Sequence, residues 1–337
     1  MKKINVAING FGRIGRSAFM AILDSFPNLN VVAINDLTDP KTLAHLLKYD
    51  SCYGSYNKEV KAGKDSITVG KKTYPVLSTK DPVELPWKEL KVDVVLECTG
   101  IFKDKEGLKK HIKAGAKKVI LSAPAKGKGV KMIVPGVNQD KIKKTDSIMS
   151  LASCTTNCLA PVTELIRQNY GIKNAFTTTV HAYTATQNLV DGPHKDLRRA
   201  RAAAVNIIPT TTGAAIATTE VIPSLRGKFD GMAIRVPIPV GSLCDSVYLV
   251  NKKVSAEEVN KMFRQAARGK YKGILSASDE PLVSSDIVGD AHSAVVDLMS
   301  TKVVGDKMLK VIAWYDNEWG YSNRLVELAD YLKKYIK

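Results

Sequence analysis

Near the N-terminus, "INVAINGFGRIGRSAFMAILDSF" places Gly10, Gly12 and Gly15 directly between an apolar run and a segment with helical spacing. No other feature restricts the fold as strongly. Residues 4–10 read as a buried strand, and Ile14, Ala18, Ala21 and Ile22 recur on one helical face. Between them, Gly10 permits a tight turn, Gly12 lets a ligand approach the backbone, and Gly15 allows helix and strand to touch. A second apolar strand, "NVVAIND", ends on Asp36, 21 residues after Gly15. A helix N-terminus facing a pyrophosphate and a carboxylate placed for the ribose hydroxyls together point to a dinucleotide. Asp36 would repel a 2′-phosphate, which favours NAD over NADP. The alternative is a structural turn with an incidental aspartate.

The alternation continues. Residues 39–50 read as a helix capped by Asp39 with Pro40 at its first position. Residues 66–78 read as a hairpin around Gly70, "VDVVLECTG" as a strand, 104–115 as a helix and "KVILSAP" as another strand. This is the pattern of an α/β, doubly wound parallel sheet, a Rossmann domain. The second half groups its strands: "NAFTTTVHAY", "GMAIRVPIP", "DSVYLVNKKV" and "MLKVIAWYD" predict an α+β domain with a mostly antiparallel sheet. A long loop is expected over 184–204. "SAEEVNKMFRQAARG" carries a Ser255–Glu258 capping box and a terminal Gly269. The last helix presents Leu325, Leu328, Ala329, Leu332 and Ile336 on one face and suits either domain. A length of 337 residues fits two domains.

Composition narrows the function classes. Hydrophobic residues at 45% and charged residues at 25% suit a globular protein. No apolar run approaches the roughly 18 residues of a membrane span, and the N-terminus reads as a strand, not a signal peptide. Five cysteines without a Cys-x-x-Cys pair indicate neither a disulfide framework nor a zinc site. A cytoplasmic protein without metal or membrane partner is expected. The net charge of +17 comes from dispersed lysines. Without a recognition helix or an RNP-like pattern, they read as solvated faces and predict no specific nucleic acid.

"LASCTTNCLAP" supplies the chemistry. Cys154 is enclosed by Ser153, Thr155 and Thr156, hydroxyls that a packing cysteine does not need. A helix start or a nearby histidine favours the thiolate, and the segment after Cys154 has helical spacing. Pro161 within it predicts either a kink or a later helix start. Ser153 and Thr155 are candidate anion or oxyanion ligands, and Cys158, one turn on, reads as structural. Among five histidines, His181 in "TTTVHAYTATQ" is the best base candidate, with a satisfied core histidine as the alternative. "PTTTGAA" sets Thr210, Thr211, Thr212 and Gly213 before an apolar helix, a plausible phosphate cradle. Arg198, Arg199, Arg201 and Arg235 add cations, and Arg235 in an apolar strand needs a partner, either an anion or an aspartate.

"INGFGRIGR", "ASCTTNCLAP", "TTVHAYTATQ", "HKDLRRARAAA", "IIPTTTGAA", "RVPIP" and "WYDNEWGYS" together resemble phosphorylating glyceraldehyde-3-phosphate dehydrogenases from end to end. The resemblance implies a homotetramer. It also implies an NAD-binding domain over 1–152, completed by the C-terminal helix 318–337, with a catalytic domain over 153–317. It implies Cys154 as nucleophile and His181 as its base. Ser153, Thr155, Thr184, Arg199, Thr212, Gly213 and Arg235 would bind substrate and inorganic phosphate. Gly10, Gly12, Arg13, Ile14, Gly15, Asp36, Lys80, Ser122 and Asn317 would hold NAD. The implied reaction is oxidative phosphorylation of D-glyceraldehyde 3-phosphate to 1,3-bisphosphoglycerate through a cysteine hemithioacetal and thioester. Alternatives are a related dehydrogenase acting on erythrose 4-phosphate, or a polyanion-binding protein without turnover.

Overall fold

The computed structural model describes residues 3–336. The chain divides into two compact units. Residues up to Ile133, with Asp140–Ala152 and Ser322 onward, form the first; Val134–Gln139 and Ser153–Tyr321 form the second.

The first unit is built on a nine-stranded sheet. Its strand order is Lys131–Met132, Ile148–Ser150, Lys118–Leu121, Val94–Glu97, Ile4–Asn9, Leu29–Asn35, Lys72–Leu77, Ser66–Val69 and Val60–Ala62. The pairs as far as Lys72–Leu77 are parallel, and the last two strands add antiparallel. From Ile4–Asn9 the chain lays its next strand on one side and Val94–Glu97 on the other. That reversal opens a crevice at the carboxyl ends of the strands, the usual ligand site of such sheets. Val6, Ala7, Ile8, Val94, Val95 and Leu96 have no exposed surface, which explains their uninterrupted apolar runs. Asp39 caps the helix Pro40–Lys48 by accepting the Thr42 N–H, and Gly70 turns the predicted hairpin at φ 59°. The two-residue strand Lys131–Met132 and the three-residue strand Ile148–Ser150 were not visible in the sequence, because so few residues carry no period. Leu325, Leu328, Ala329 and Leu332 of the C-terminal segment are buried within this unit.

The second unit holds a seven-stranded sheet in the order Ile208–Thr211, Phe229–Val236, Ile172–Ala182, Ser242–Val250, Met308–Tyr315, Ala294–Val304 and Leu275–Ser278. It is mostly antiparallel, with parallel pairs at Ile172–Ala182/Phe229–Val236 and Leu275–Ser278/Ala294–Val304. The 17-residue helix Cys154–Tyr170 lies against this sheet and runs through Pro161. It therefore starts at the cysteine and not later. The Ser255–Glu258 capping box forms as expected. Over 183–207 only Ala203–Val205 is helical, a single 3-10 turn, and Leu189, Val190, Leu197, Val205 and Ile207 stand exposed. Among the described residues no helix is long and apolar enough to cross a membrane.

The glycines of the first turn differ in what they tolerate. A Cβ on Gly15 would stand 2.1 Å from the Gly10 carbonyl oxygen, whereas one on Gly12 would meet nothing within 4 Å. Gly15→Ala is therefore expected to destabilise the fold by about 1–3 kcal/mol through overpacking. Gly12→Ala, at φ −73°, should leave stability within about 0.5 kcal/mol. Thermal unfolding of the two cofactor-free variants checks the contrast.

Candidate active site

Cys154 is the first residue of its helix and Ser153 the N-cap, whose Oγ accepts the Thr156 N–H at 3.1 Å. Ala152, just before, turns the chain at φ 59°, a conformation that costs a residue with a Cβ about 1–2 kcal/mol. The turn and cap place the thiol at the positive end of the helix. Cys154 Sγ lies 3.5 Å from His181 Nε2. His181 sits near the end of Ile172–Ala182, directly in register with Arg235 on the neighbouring strand. Arg235 Nη1 lies 2.6 Å from His181 Nδ1 and donates to the Ala182 carbonyl at 2.8 Å. The imidazole Nδ1 is also 2.7 Å from that carbonyl. Arg235 thus meets a histidine and a carbonyl, not an aspartate. Its Nε is buried without a hydrogen-bond partner among the described residues.

Behind this pair stands a residue that the sequence did not single out. Tyr315 is buried, and its hydroxyl is 2.9 Å from both Thr155 Oγ1 and Thr179 Oγ1. Its ring meets His181 edge-on, with centroids 5.9 Å apart. The Thr155 hydroxyl therefore supports the site from within the core. Cys158 is fully buried, with Sγ 3.7 Å from the Ala313 carbonyl.

Burial pushes the Cys154 thiol up to about 11, against the opposing pull of Arg235 and of hydrogen bonds from Thr155. Burial pushes His181 down to about 3, and the Arg235 cation adds to the shift. Each group alone is favoured neutral. If the proton passes between them, the imidazolium faces the thiolate at contact distance, and their attraction offsets part of the cost of burial. A thiol reacts as thiolate, and His181 Nε2 stands within hydrogen-bond reach of Sγ.

Cationic and hydroxyl groups gather elsewhere in the same unit. Arg199 donates through Nε to Thr210 Oγ1 at 2.9 Å and through Nη2 to the Thr211 carbonyl at 3.0 Å. Thr210 in turn donates to Asp196 at 2.6 Å. Thr212 Oγ1 accepts the Ala214 N–H at 3.1 Å. Gly213 caps the helix Ala214–Val221, with open space where a side chain would stand. Arg198, Thr210, Thr211 and Thr212 share a cavity of about 690 Å³. Thr184, in the long loop, pairs its hydroxyl with Thr186 at 2.8 Å.

The first unit carries a cavity of about 740 Å³ at the carboxyl ends of its central strands. Gly10, Gly12, Asp36 and Lys80 line it, together with Asn9, Asn35, Thr79 and Thr99, which the sequence reading passed over. Asp36 accepts the Phe11 N–H through Oδ2 at 2.7 Å and the Thr38 N–H through Oδ1 at 2.9 Å. Its carboxylate thus shapes the glycine turn as well as facing the cavity. The helix Arg13–Ser25 begins after Gly12 without a side-chain cap or an acidic residue in its first turn. Its first N–H groups and the space over Gly12 fit a pyrophosphate. Ile14 and Gly15 lie in that first turn. Arg13 pairs with Asp50, its guanidinium 5.6 Å from the Tyr53 ring centroid. Ser122 donates its N–H to the Glu97 carbonyl at 2.9 Å. Asn317 belongs to the second unit, where Oδ1 accepts from Gly241 N at 3.2 Å and Ser242 Oγ at 3.0 Å.

A dinucleotide cradle in one unit and a histidine-paired thiol in the other are the equipment of a nicotinamide-nucleotide oxidoreductase with a nucleophilic cysteine. The family models of glyceraldehyde 3-phosphate dehydrogenase agree: the NAD binding domain matches residues 4–105 and the C-terminal domain residues 153–317. The chain is 53% identical over 327 residues to glyceraldehyde-3-phosphate dehydrogenase 2 of Streptomyces avermitilis, covering 97% of each chain. It is 53% identical over 330 residues to the Geobacillus stearothermophilus enzyme, covering 98% of each. Against the chloroplastic A enzyme of Chlamydomonas reinhardtii it is 53% identical over 336 residues, covering 99% of this chain and 90% of the relative. The chain belongs to the glyceraldehyde-3-phosphate dehydrogenase family, and its cofactor is NAD.

Removing the base should expose the raised thiol. In His181→Asn, alkylation of Cys154 by iodoacetamide is expected to slow by about one to two orders of magnitude at pH 7. Because a thiol with a raised pKa gains thiolate only as pH rises, the variant's rate should keep climbing well into the alkaline range. A wild-type-like rate at neutral pH would show that His181 does not activate the thiol.

Proposed function

We infer that the protein catalyses the NAD-dependent oxidative phosphorylation of D-glyceraldehyde 3-phosphate to 1,3-bisphosphoglycerate, serving glycolysis and gluconeogenesis. The observation that carries this reading is the contact between Cys154 and His181, in a chain whose curated relatives are named for that aldehyde. Cys154 Sγ attacks the aldehyde carbon while His181 Nε2 takes and keeps the thiol proton, and the carbonyl oxygen becomes the alkoxide of a hemithioacetal. Bound NAD supplies the acceptor for the hydride that leaves that carbon. A thioester then remains on Cys154. Inorganic phosphate attacks the thioester carbon, a C–O bond forms as the C–S bond breaks, and the acyl phosphate departs.

The anions are assigned to the cationic groups. Arg235 offers its guanidinium, while Arg199, Thr184, Thr212 and Gly213 supply further donors for the substrate phosphate and inorganic phosphate. Ser153 caps the nucleophile's helix, and Thr155 acts through Tyr315. For the cofactor, the turn Gly10, Gly12, Gly15 with the N–H groups of Arg13 and Ile14 takes the pyrophosphate. Asp36 takes the adenosine ribose, and Lys80, Ser122 and Asn317 complete the set. Residues 1–152 with 318–337 constitute the NAD-binding domain and 153–317 the catalytic domain. The exposed Leu189, Val190, Leu197, Val205 and Ile207 of one loop favour burial against further copies of the chain, in a cytoplasmic homotetramer.

Two measurements test the reading. NADH formation is expected with glyceraldehyde 3-phosphate, to depend on inorganic phosphate, and to be faster than with erythrose 4-phosphate. Cys154→Ser should abolish it while NAD still binds, because serine is far less nucleophilic near neutral pH; Cys158→Ser should keep most of it. Asp36 should set cofactor preference, so NAD is expected to be used far better than NADP, with Asp36→Gly narrowing the gap. Specificity constants for both cofactors in wild type and variant decide this, and equal use of NADP by the wild type would remove Asp36 from the ribose site.

A further inference from the structure

Glu97 ends the strand Val94–Glu97 with no exposed surface, beside Asn9 in parallel register. Its carboxylate accepts from several donors. Asn9 Nδ2 donates to Oε2 at 2.6 Å, and His111 Nε2 lies 3.0 Å from the same oxygen. The Thr99 N–H donates to Oε1 at 2.8 Å, and the Thr99 hydroxyl bonds the same atom. The Trp87 indole donates to His111 Nδ1 at 3.0 Å. An indole N–H can only donate, so His111 carries its proton on Nε2 and points it at Glu97. His111 and Trp87 are both fully buried.

On the other side, Asn9 Oδ1 accepts from Asn35 Nδ2 at 2.7 Å. The Asn35 amide is itself fixed, because it donates to the Thr79 carbonyl at 3.0 Å and accepts the Thr79 N–H at 2.9 Å. One continuous chain therefore runs from Trp87 through His111, Glu97, Asn9 and Asn35 to Thr79. Asn9, Asn35, Thr79 and Thr99 line the cavity, whereas Glu97, His111 and Trp87 stand behind it. No amide in the chain can rotate without setting donor against donor.

We propose that Glu97 is the positioning residue of the adenosine site: it holds the Asn9 side chain and the Thr99 backbone in the wall that meets the adenosine half of NAD. This rests on the reading of that cavity as the adenosine pocket. Nothing in the chain contacts the reacting atoms, so Glu97 acts through Asn9 and Thr99 alone. Glu97→Gln tests it sharply because glutamine has the same shape. Its NH₂ must face either Asn9 and His111 or Thr99. His111 could accept only by giving up the Trp87 bond, and Asn9 only by turning its NH₂ on Asn35. The Thr99 N–H cannot accept at all. Every orientation leaves a donor–donor contact.

Titration calorimetry with NAD and with ADP-ribose is the experiment, on wild type, Glu97→Gln and Asp36→Ala. For Glu97→Gln we expect the dissociation constants of both ligands to rise about tenfold in the same proportion, at full stoichiometry. The KM for NAD should rise by more than kcat falls. A merely structural role would lower the melting temperature or the number of competent sites and leave the dissociation constant of the remaining sites unmoved. Wild-type dissociation constants in Glu97→Gln, alongside weakened binding in Asp36→Ala, would overturn the role of Glu97 and leave the pocket standing. Unchanged binding of both ligands in Asp36→Ala would overturn the pocket itself, and this inference with it. Should Glu97→Gln fail to fold, His111→Phe removes one donor to Glu97 from outside the cavity wall. A two- to fivefold loss of ADP-ribose affinity supports the proposal, and none overturns it.

Discussion

The contact between Cys154 and His181 is the interaction that the second unit is arranged to hold. Neither group is favoured in its charged form alone, since burial disfavours both. The contact therefore has to be made at a fixed distance by rigid elements. The thiol is fixed by a helix that begins at Cys154, and the imidazole by the central region of a seven-stranded sheet. Tyr315, on a third element, ties the two together through Thr155 and Thr179. A loop could carry the same residue types but not the same constancy of distance.

Arg235 imposes a condition on that pair. Its guanidinium stands against His181 Nδ1 and lowers the imidazole's proton affinity. An anion brought beside that guanidinium would offset its charge and ease the imidazole toward protonation. The arginine in an otherwise apolar strand thus couples the charge beside it to the proton affinity of His181.

Much of this was legible in the chain. The glycine spacing with Asp36, and the uninterrupted apolar runs, mark the parallel sheet because both of its faces are covered and each position obeys a local rule. Cys154 stands out for its hydroxyl neighbours, although two of them turn out to have structural partners as well: Ser153 caps the helix and Thr155 meets Tyr315. What stayed hidden depends on partners far apart in sequence. Tyr315 meets Thr155 across 160 residues, and Glu97 meets Asn9 across 88. Neither has a neighbour in the chain that marks it. Pro161 makes the helix around it ambiguous in sequence for a related reason. Tertiary packing decides whether a helix tolerates a missing N–H, and here Leu159, Val162 and Ile166 are buried around it.

The double use of Asp36 bears on how such a chain can change over time. The same two oxygens that face the cavity also accept the N–H groups of Phe11 and Thr38. One wall of the cavity and the geometry of the loop are therefore set by one carboxylate. A substitution at this residue alone would change the cavity wall and would also leave the N–H groups of Phe11 and Thr38 without these acceptors. Any change of the cavity wall made at this position therefore carries a cost in the loop that shapes it.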